Sequence, residues 1–293
     1  MHYLKFLGTF FLLSALYLGL DFVCEKATQG FRLHLVLSNL PNDPRWELPP
    51  LSQEAMATLE HRLDQPFTLL GTGGWCFAFL GADQHTVLKF YKHTHLSLLN
   101  ALKELSFKKF LLKSPSWPQN TPYFQEFNFT SCALLYTKLK SRTGLLYAHL
   151  NKTEGLFKPV TLIDNLGVKH LVELDHTEFV VQEKAELIIP YLEQLVKEGK
   201  IDLAKNSIDD IIQCLLELYK AGLRDVDVSF RNNFGYVDNK AVALDLSSFV
   251  YDKTLEGVDD YRMMVQTKTK RLAHYLKKYQ PELYLHYQHS LAL

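Results

Sequence analysis

The sequence predicts an α+β chain of two lobes, a β-rich one followed by a reduced helical one, with a single hydrophobic helix ahead of both. Three observations predict it. Aromatic and β-branched runs between Phe67 and Tyr91 are broken by turn residues. After Val181 the apolar residues fall at helical spacing, interrupted by one small hairpin. Before either region, Phe6 to Leu20 is fifteen residues without a charge. A chain of 293 residues with 47% hydrophobic content can fill a core of this size.

The uncharged run continues through Phe22 and Val23, crossing Asp21, to about the 17 to 25 residues that a tilted membrane span needs. Residues 1–24 therefore read as a membrane anchor, with a cleaved signal peptide as the alternative. No small-x-small site follows Leu20, and Val23 is bulky before Cys24, which disfavours cleavage. Lys5 on one side and Lys26 and Arg32 on the other leave the orientation open. Residues 25–63 carry Pro41, Pro44, Pro49 and Pro50 and read as a linker that ends in a helix over 54–63, capped by Ser52.

Residues 64–182 form the first expected lobe. Its strands lie over 67–79 and 86–91 about a turn at 81–84, followed by a helix over 95–112, a second over 124–141, and strands at 145–150 and 178–182. Residues 183–293 form the second. Helices over 191–198 and 207–219 come first, the latter opened by Ser207 and Asp210 as a capping-box variant and stopped by Gly222. Short strands at 234–237 and 241–244 flank Asn239, and a long helix covers 255–279. This order suggests a cleft between the lobes as the working site.

Composition removes several function classes. Lys plus Arg (32) cancels Asp plus Glu (32), so no global field draws nucleic acid, and no nucleic-acid partner is expected. Cys24, Cys76, Cys132 and Cys214 form no CxxC, which argues against a zinc site and a disulfide framework. Cys132 and Cys214 sit on helical patterns and read as core. His93 and His95 alternate on one face but have no third ligand at a recognisable spacing, so surface histidines are the better reading.

The chemistry-bearing residues form two sets. In the first, Gly71, Gly73 and Gly74 lie in a strand-turn-strand, where missing Cβ atoms let backbone amides approach a phosphate. A hairpin turn that needs positive φ is the plainer explanation. Eighteen residues past Gly71, Lys89 interrupts the apolar strand Val87-Leu88-Lys89-Phe90. An ammonium on the inward face of a buried strand needs an anion, while one at a strand edge can reach water.

The second set is Asp225-Val226-Asp227-Val228-Ser229-Phe230-Arg231-Asn232-Asn233, followed by Asp245-Leu246-Ser247. Asp227 to Asn232 is five residues and Asn232 to Asp245 thirteen, with the expected hairpin between them. With the glycine loop and Lys89, this series resembles the protein-kinase-like superfamily over residues 64–249. It is also similar to uncharacterised bacterial kinase-like proteins that carry an N-terminal hydrophobic segment.

The resemblance implies an ATP- and Mg²⁺-binding phosphotransferase acting on a hydroxyl acceptor of unknown identity, small molecule or protein. It implies that Lys89 holds the α/β-phosphates, Asp227 orients the acceptor hydroxyl, and Asp245 with an Asn holds magnesium. Asn232, which fits the kinase spacing, is preferred, and Asn233 suits a loop one residue longer. Glu126 is the preferred partner of Lys89 over Glu104, and backbone groups of Glu183 and Ala185 would read the adenine edge. ATP is plentiful in the cytoplasm, so an active domain is expected on the cytoplasmic side of the anchor, with export as the alternative.

Departures from the pattern keep a membrane-tethered pseudokinase or an interaction scaffold in view. Cys76 replaces the third loop glycine, Asp225 stands where a His precedes the catalytic Asp, and Ser247 replaces the glycine after Asp245-Leu246. An activation segment and an Ala-Pro-Glu anchor are not found after Asp245.

Overall fold

The computed structural model describes residues 2–38, 40–93, 121–227 and 229–292, with the backbone alone for 2–8, 11 and 121–125. The expected helix over 95–112, with Leu98, Leu99, Leu102, Leu105 and Phe110, lies outside the described residues, as do Glu104 and His95.

The elements in chain order are α1 (His2–Ala27), α2 (Gln53–Leu63), β1 (Phe67–Thr72), β2 (Cys76–Gly81), β3 (Thr86–Tyr91), α3 (Thr121–Lys138), β4 (Leu145–His149), β5 (Val160–Ile163), β6 (Lys169–Val172), β7 (Phe179–Glu183) and β8 (Glu186–Leu187). Then come α4 (Ile188–Lys197), α5 (Ile201–Lys220), β9 (Leu223–Asp225), β10 (Phe234–Val237), β11 (Lys240–Ala243), β12 (Phe249–Tyr251), α6 (Arg262–Tyr279) and α7 (Pro281–Ala292). The chain is α+β. It divides into two compact units, one drawn from described residues within 2–43, 50–93 and 151–179, the other from 44–49, 121–150 and 180–292.

The first unit carries strands in the order β3-β2-β1-β5-β6. β1, β2 and β3 pair antiparallel in sequence, and β5 joins β1 in parallel. Alternation along β2 buries Phe77 and Phe79, and with Phe67, Phe90 and Phe179 they make an aromatic core with almost no exposure. Phe31 stands edge-on to Phe77 and Phe79, with ring centroids 5.2 and 5.1 Å apart. Phe31 and Val36 are buried, so the start of the segment 25–63 packs into the unit, each full burial of such a side chain being worth about 1.5 to 3 kcal/mol. Ser52 does cap α2, its Oγ accepting the Ala55 amide at 3.2 Å.

Two expectations fail here for local reasons. β5 and β6 were not expected, because each is only four residues and β6 is mostly exposed, which gives no alternation to read. His93 is no surface histidine: it is 3% exposed, with Nε2 3.0 Å from Glu178 Oε2, and Ser38 Oγ donates to the other oxygen of Glu178 at 2.9 Å.

Among the described residues no helix is long and apolar enough to cross a membrane. The described part of α1 nevertheless leaves Leu12, Leu13, Leu16, Leu18, Phe22 and Val23 exposed. An exposed ion pair from Arg32 to Asp21 at 2.8 Å ties the end of α1 to the chain that follows it.

The second unit is organised around α5, which buries Ile208, Ile211, Ile212, Leu215 and Leu218. Ser207 does not open this helix. α5 begins at Ile201, Ser207 Oγ donates back to the Leu203 carbonyl at 2.7 Å, and Asp210 turns to other work, accepting the Ala241 amide at 2.6 Å. Arg142, 7% exposed, joins Asp210 (2.8 Å) and Glu217 (2.7 Å). Its guanidinium pulls the Glu217 carboxyl down to about 2. Gly222 follows α5 at φ 73°, the left-handed position that ends helices. Asp238 and Asn239, both at positive φ, turn β10 into β11. The last expected helix starts at Arg262 instead of residue 255, since Leu255 sits in a single 3₁₀ turn, and a further helix, α7, follows it.

Candidate functional site

In the first unit, β1 and β2 enclose Gly73-Gly74-Trp75, with the Gly73 amide donating to the Cys76 carbonyl at 2.9 Å. None of Gly71, Gly73 and Gly74 takes a positive φ. A Cβ built at Gly71 or Gly74 meets nothing within 4 Å, and at Gly73 it meets only Cys76 atoms at 3.6 and 3.7 Å, ordinary contact distances. The hairpin therefore needs none of the three for its own backbone, and the positive-φ explanation of the glycines fails. They leave an uncluttered backbone surface, which suits the close approach of a ligand.

Lys89 sits opposite Ala78 of β2, half-buried, while its neighbours Leu88 and Phe90 are fully buried. A second cation was missed in the sequence: Lys92 Nζ donates to the Gly73 carbonyl at 2.6 Å and lies 4.5 Å from the Phe77 ring centre. Burial lowers its ammonium pKa from the ordinary value. The signal available was its place just past β3, three residues beyond Lys89.

In the second unit, β9 and β12 pair antiparallel with Asp225 opposite Phe249. The loop that leaves β9 is folded by its own carboxylates. Asp225 Oδ1 accepts the Asp227 amide at 2.9 Å and the Ser248 hydroxyl at 2.7 Å. Asp227 Oδ1 accepts the Ser229 amide at 2.9 Å, and Asp227 Oδ2 accepts the Asn233 side-chain amide at 3.0 Å. Asn233 is 4% exposed, whereas Asn232 is exposed. The position one residue beyond the kinase spacing is thus the one that meets Asp227.

Asn233 also anchors the hairpin: its carbonyl accepts the Leu244 amide at 2.7 Å, which sets Asp245 next after β11. Asp245 Oδ1 accepts the Ser247 amide at 2.9 Å and the Ser247 hydroxyl at 2.5 Å. Gly235 is required by packing, since a Cβ there would lie 2.4 Å from the Glu186 carbonyl oxygen of the paired strand β8.

A residue that sequence reasoning missed holds this loop together. Lys268 of α6 donates to Asp225 Oδ2 at 2.7 Å and to the Asp227 carbonyl at 2.5 Å, and the Lys268 and Asp225 side chains are 10% and 4% exposed. Burial raises the Asp225 carboxyl pKa, against the opposing pull of Lys268. Asp225, in the place of the expected His, is therefore a structural carboxylate that fixes the Asp227 backbone through its amide.

The remaining expected residues fall out differently. Glu126 is half-exposed, and its carboxylate meets Arg45 at 3.3 Å. Glu183 donates its amide to the Gly144 carbonyl at 2.8 Å, in the ladder that makes β7 a neighbour of β4, and Ala185 lies just past that strand, half-buried. Cys132 and Cys214 are buried, with burial pushing the Cys214 thiol up to about 12, so neither is a nucleophile.

No family model matches the chain, and no curated protein matches it. Among solved structures it is similar to the bifunctional kinase-methyltransferase WbdD, at 15% identity and a TM-score of 0.31 over 74% of this chain and 43% of that one. It is also similar to APH(2")-IIa, solved as a ternary complex with streptomycin and ATP, at 12% identity and a TM-score of 0.27 over 79% of this chain and 85% of that one. The chain spans less than half the length of WbdD.

Proposed function

We propose that this chain is a kinase-like protein that binds ATP and Mg²⁺ and transfers the γ-phosphate to a hydroxyl acceptor. The observation that carries the reading is the Asn233 amide on the Asp227 carboxylate, with the same Asn233 bonding the residue before Asp245. In this reading Lys89 takes the α/β-phosphates and Gly71, Gly73 and Gly74 leave room for them. Glu183 and Ala185 offer backbone groups to the adenine, and Asp227 orients the acceptor hydroxyl.

Asn233 and Asp245 offer hard oxygen donors of the kind magnesium prefers. Magnesium commonly takes one or two carboxylates and completes its shell with phosphate and water. When bound, the ion neutralises charge that develops on the phosphates. The exposed apolar residues of α1 support attachment of the protein to a membrane, and use of ATP would put the domain on the cytoplasmic side, checked by fractionation of the full chain and of a form lacking residues 2–24.

Thermal melting of the full chain with ATP and Mg²⁺ tests the binding step. At one hundred times the dissociation constant the ligand adds about 2.7 kcal/mol to stability, and an unshifted melt overturns nucleotide binding. Asp227→Ala is expected to keep the fold and lose about 10²- to 10⁴-fold in transfer rate. One arrangement favours a pseudokinase instead: both Ser247 groups already occupy Asp245 Oδ1. Nucleotide binding with no transfer, unchanged in Asp227→Ala, is the outcome of that reading.

A further inference from the structure

A groove of about 680 Å³ lies within the second unit, lined by Arg231 and, along α6, by Lys270, Arg271, His274, Tyr275 and Lys278. Two features set it apart from ordinary surface. The chain as a whole is neutral, with 32 basic and 32 acidic residues, yet none of the described residues lining the groove is acidic. Of the six arginines elsewhere, Arg32, Arg45, Arg142, Arg224 and Arg262 each have a carboxylate within 3.3 Å, and Arg62 donates to the Thr86 hydroxyl. Arg231 and Arg271 have none among the described residues, and neither have Lys270 and Lys278.

The spacing explains how one helix makes the wall. Lys270, His274 and Lys278 recur every four residues, and Arg271 and Tyr275 make the adjoining row, so both rows share one face of α6. Glu193 meets the wall only through the Tyr275 hydroxyl, which donates to it at 2.5 Å. The groove adjoins the candidate site along the chain: Arg231 lies between Asp227 and Asn233, and Lys268, two residues before Lys270, grips Asp225 and the Asp227 carbonyl.

Resting on the phosphotransfer reading above, we propose that this groove is the acceptor site and that the acceptor is a hydroxyl compound already carrying phosphate. Arginine forks bind phosphate oxygens in pairs, and in this proposal an acceptor held by Arg231 presents its hydroxyl to Asp227. The hydroxyl oxygen bonds to the γ-phosphorus of ATP, the bond from that phosphorus to the β,γ-bridging oxygen breaks, ADP leaves, and the hydroxyl proton passes to the Asp227 carboxylate. The product then carries one more phosphate than the acceptor. A free sugar phosphate and a phospholipid headgroup share this chemistry.

Calorimetric titration of the full chain with fructose 1,6-bisphosphate, with fructose, and with phosphatidylcholine vesicles with or without phosphatidylglycerol tests it, beside the Lys270→Ala/Arg271→Ala/Lys278→Ala variant. These side chains are exposed, and a melting curve confirms that the variant folds. The expected result is binding of the bisphosphate or of the phosphatidylglycerol vesicles, weakened at least about tenfold in the variant, with fructose not bound and ATP·Mg²⁺ affinity unchanged. Bisphosphate binding points to a soluble acceptor, and vesicle binding lost in the variant points to a lipid one. Equal binding by both proteins, or binding of neither probe, overturns the groove. Loss of ATP·Mg²⁺ binding in the unaltered chain removes the phosphotransfer reading, leaving the groove to be judged on the two probes alone.

Discussion

The glycine turn of residues 73–75 is closed by β1 and β2, neighbours in sequence, whereas the loop of residues 225–233 is held by Ser248 and by Lys268 of α6, more than twenty and forty residues away. The hairpin keeps its shape with a backbone that would accept a Cβ at each of its three loop glycines. The loop is dense by comparison: Asp225 is 4% exposed on its side chain, Asn233 is 4% exposed, and Gly235 leaves no room for a methyl group. The difference teaches that one region is shaped to be approached and the other to hold a carboxylate still. Substitutions should therefore separate them, the hairpin losing ligand and the loop losing stability.

The largest effect is expected at Lys268. Lys268→Met leaves the Asp225 carboxylate buried without its cation, at a cost of about 3 kcal/mol, the lower end for breaking a buried pair because Asp225 can take up a proton instead. Burial already holds the Asp225 pKa above its unfolded value, so ionising it in the fold costs stability as pH rises through the folded pKa. Without Lys268 that pKa rises further. The variant should therefore be less destabilised in acid than at neutral pH, as denaturant melts across pH would record. A uniform loss at every pH would break the assignment of Asp225 as the group left behind.

A smaller loss, about 2 kcal/mol, is expected for Arg142→Ala, because Glu217 and Asp210 are 31% and 28% exposed and recover water. Here the sign with pH reverses. Glu217 is held at about 2 against an ordinary 4.5, so its contribution is present above pH 4.5 and lost as pH falls toward about 2. The variant should lack that acid-side decline. The smallest effect belongs to the hairpin: Gly74→Ala should change the melting free energy by no more than about 0.5 kcal/mol while weakening ATP binding. A stability loss well beyond that would erase the contrast between the two regions.

What the sequence made legible follows from how far each contact reaches. β1, β2 and β3 could be read because alternation and turn residues are local, and the Asp227 and Asp245 series because its spacing spans one hairpin. Asn232 and Asn233 differ by a single residue of loop, which spacing alone could not resolve; the fold buries Asn233 against Asp227 and leaves Asn232 exposed. Ser207 and Asp210 had the form of a helix start, but α5 runs further back, and Asp210 is used by Arg142 and the β11 backbone instead. Lys268 gave no signal at all, since nothing near it in the chain announces a partner at Asp225. Phe31 and Val36 carry no periodic signal of burial, since the prolines that follow from Pro41 mark the segment as irregular chain.

The division of the chain into two units has a consequence for how it is made. Each unit is assembled from three separate stretches, and the first is not complete until residue 179 has been synthesised. At about 5 to 20 residues per second, its early strands wait for several seconds or more on the ribosome before β5 and β6 arrive. During that wait the free edge of β1, which β5 later covers in parallel, is open to other chains. The birth of this protein is thus a period in which a half-built sheet needs shielding, and a ribosome-bound chaperone should matter more to its yield than to that of a chain whose domains close one after another.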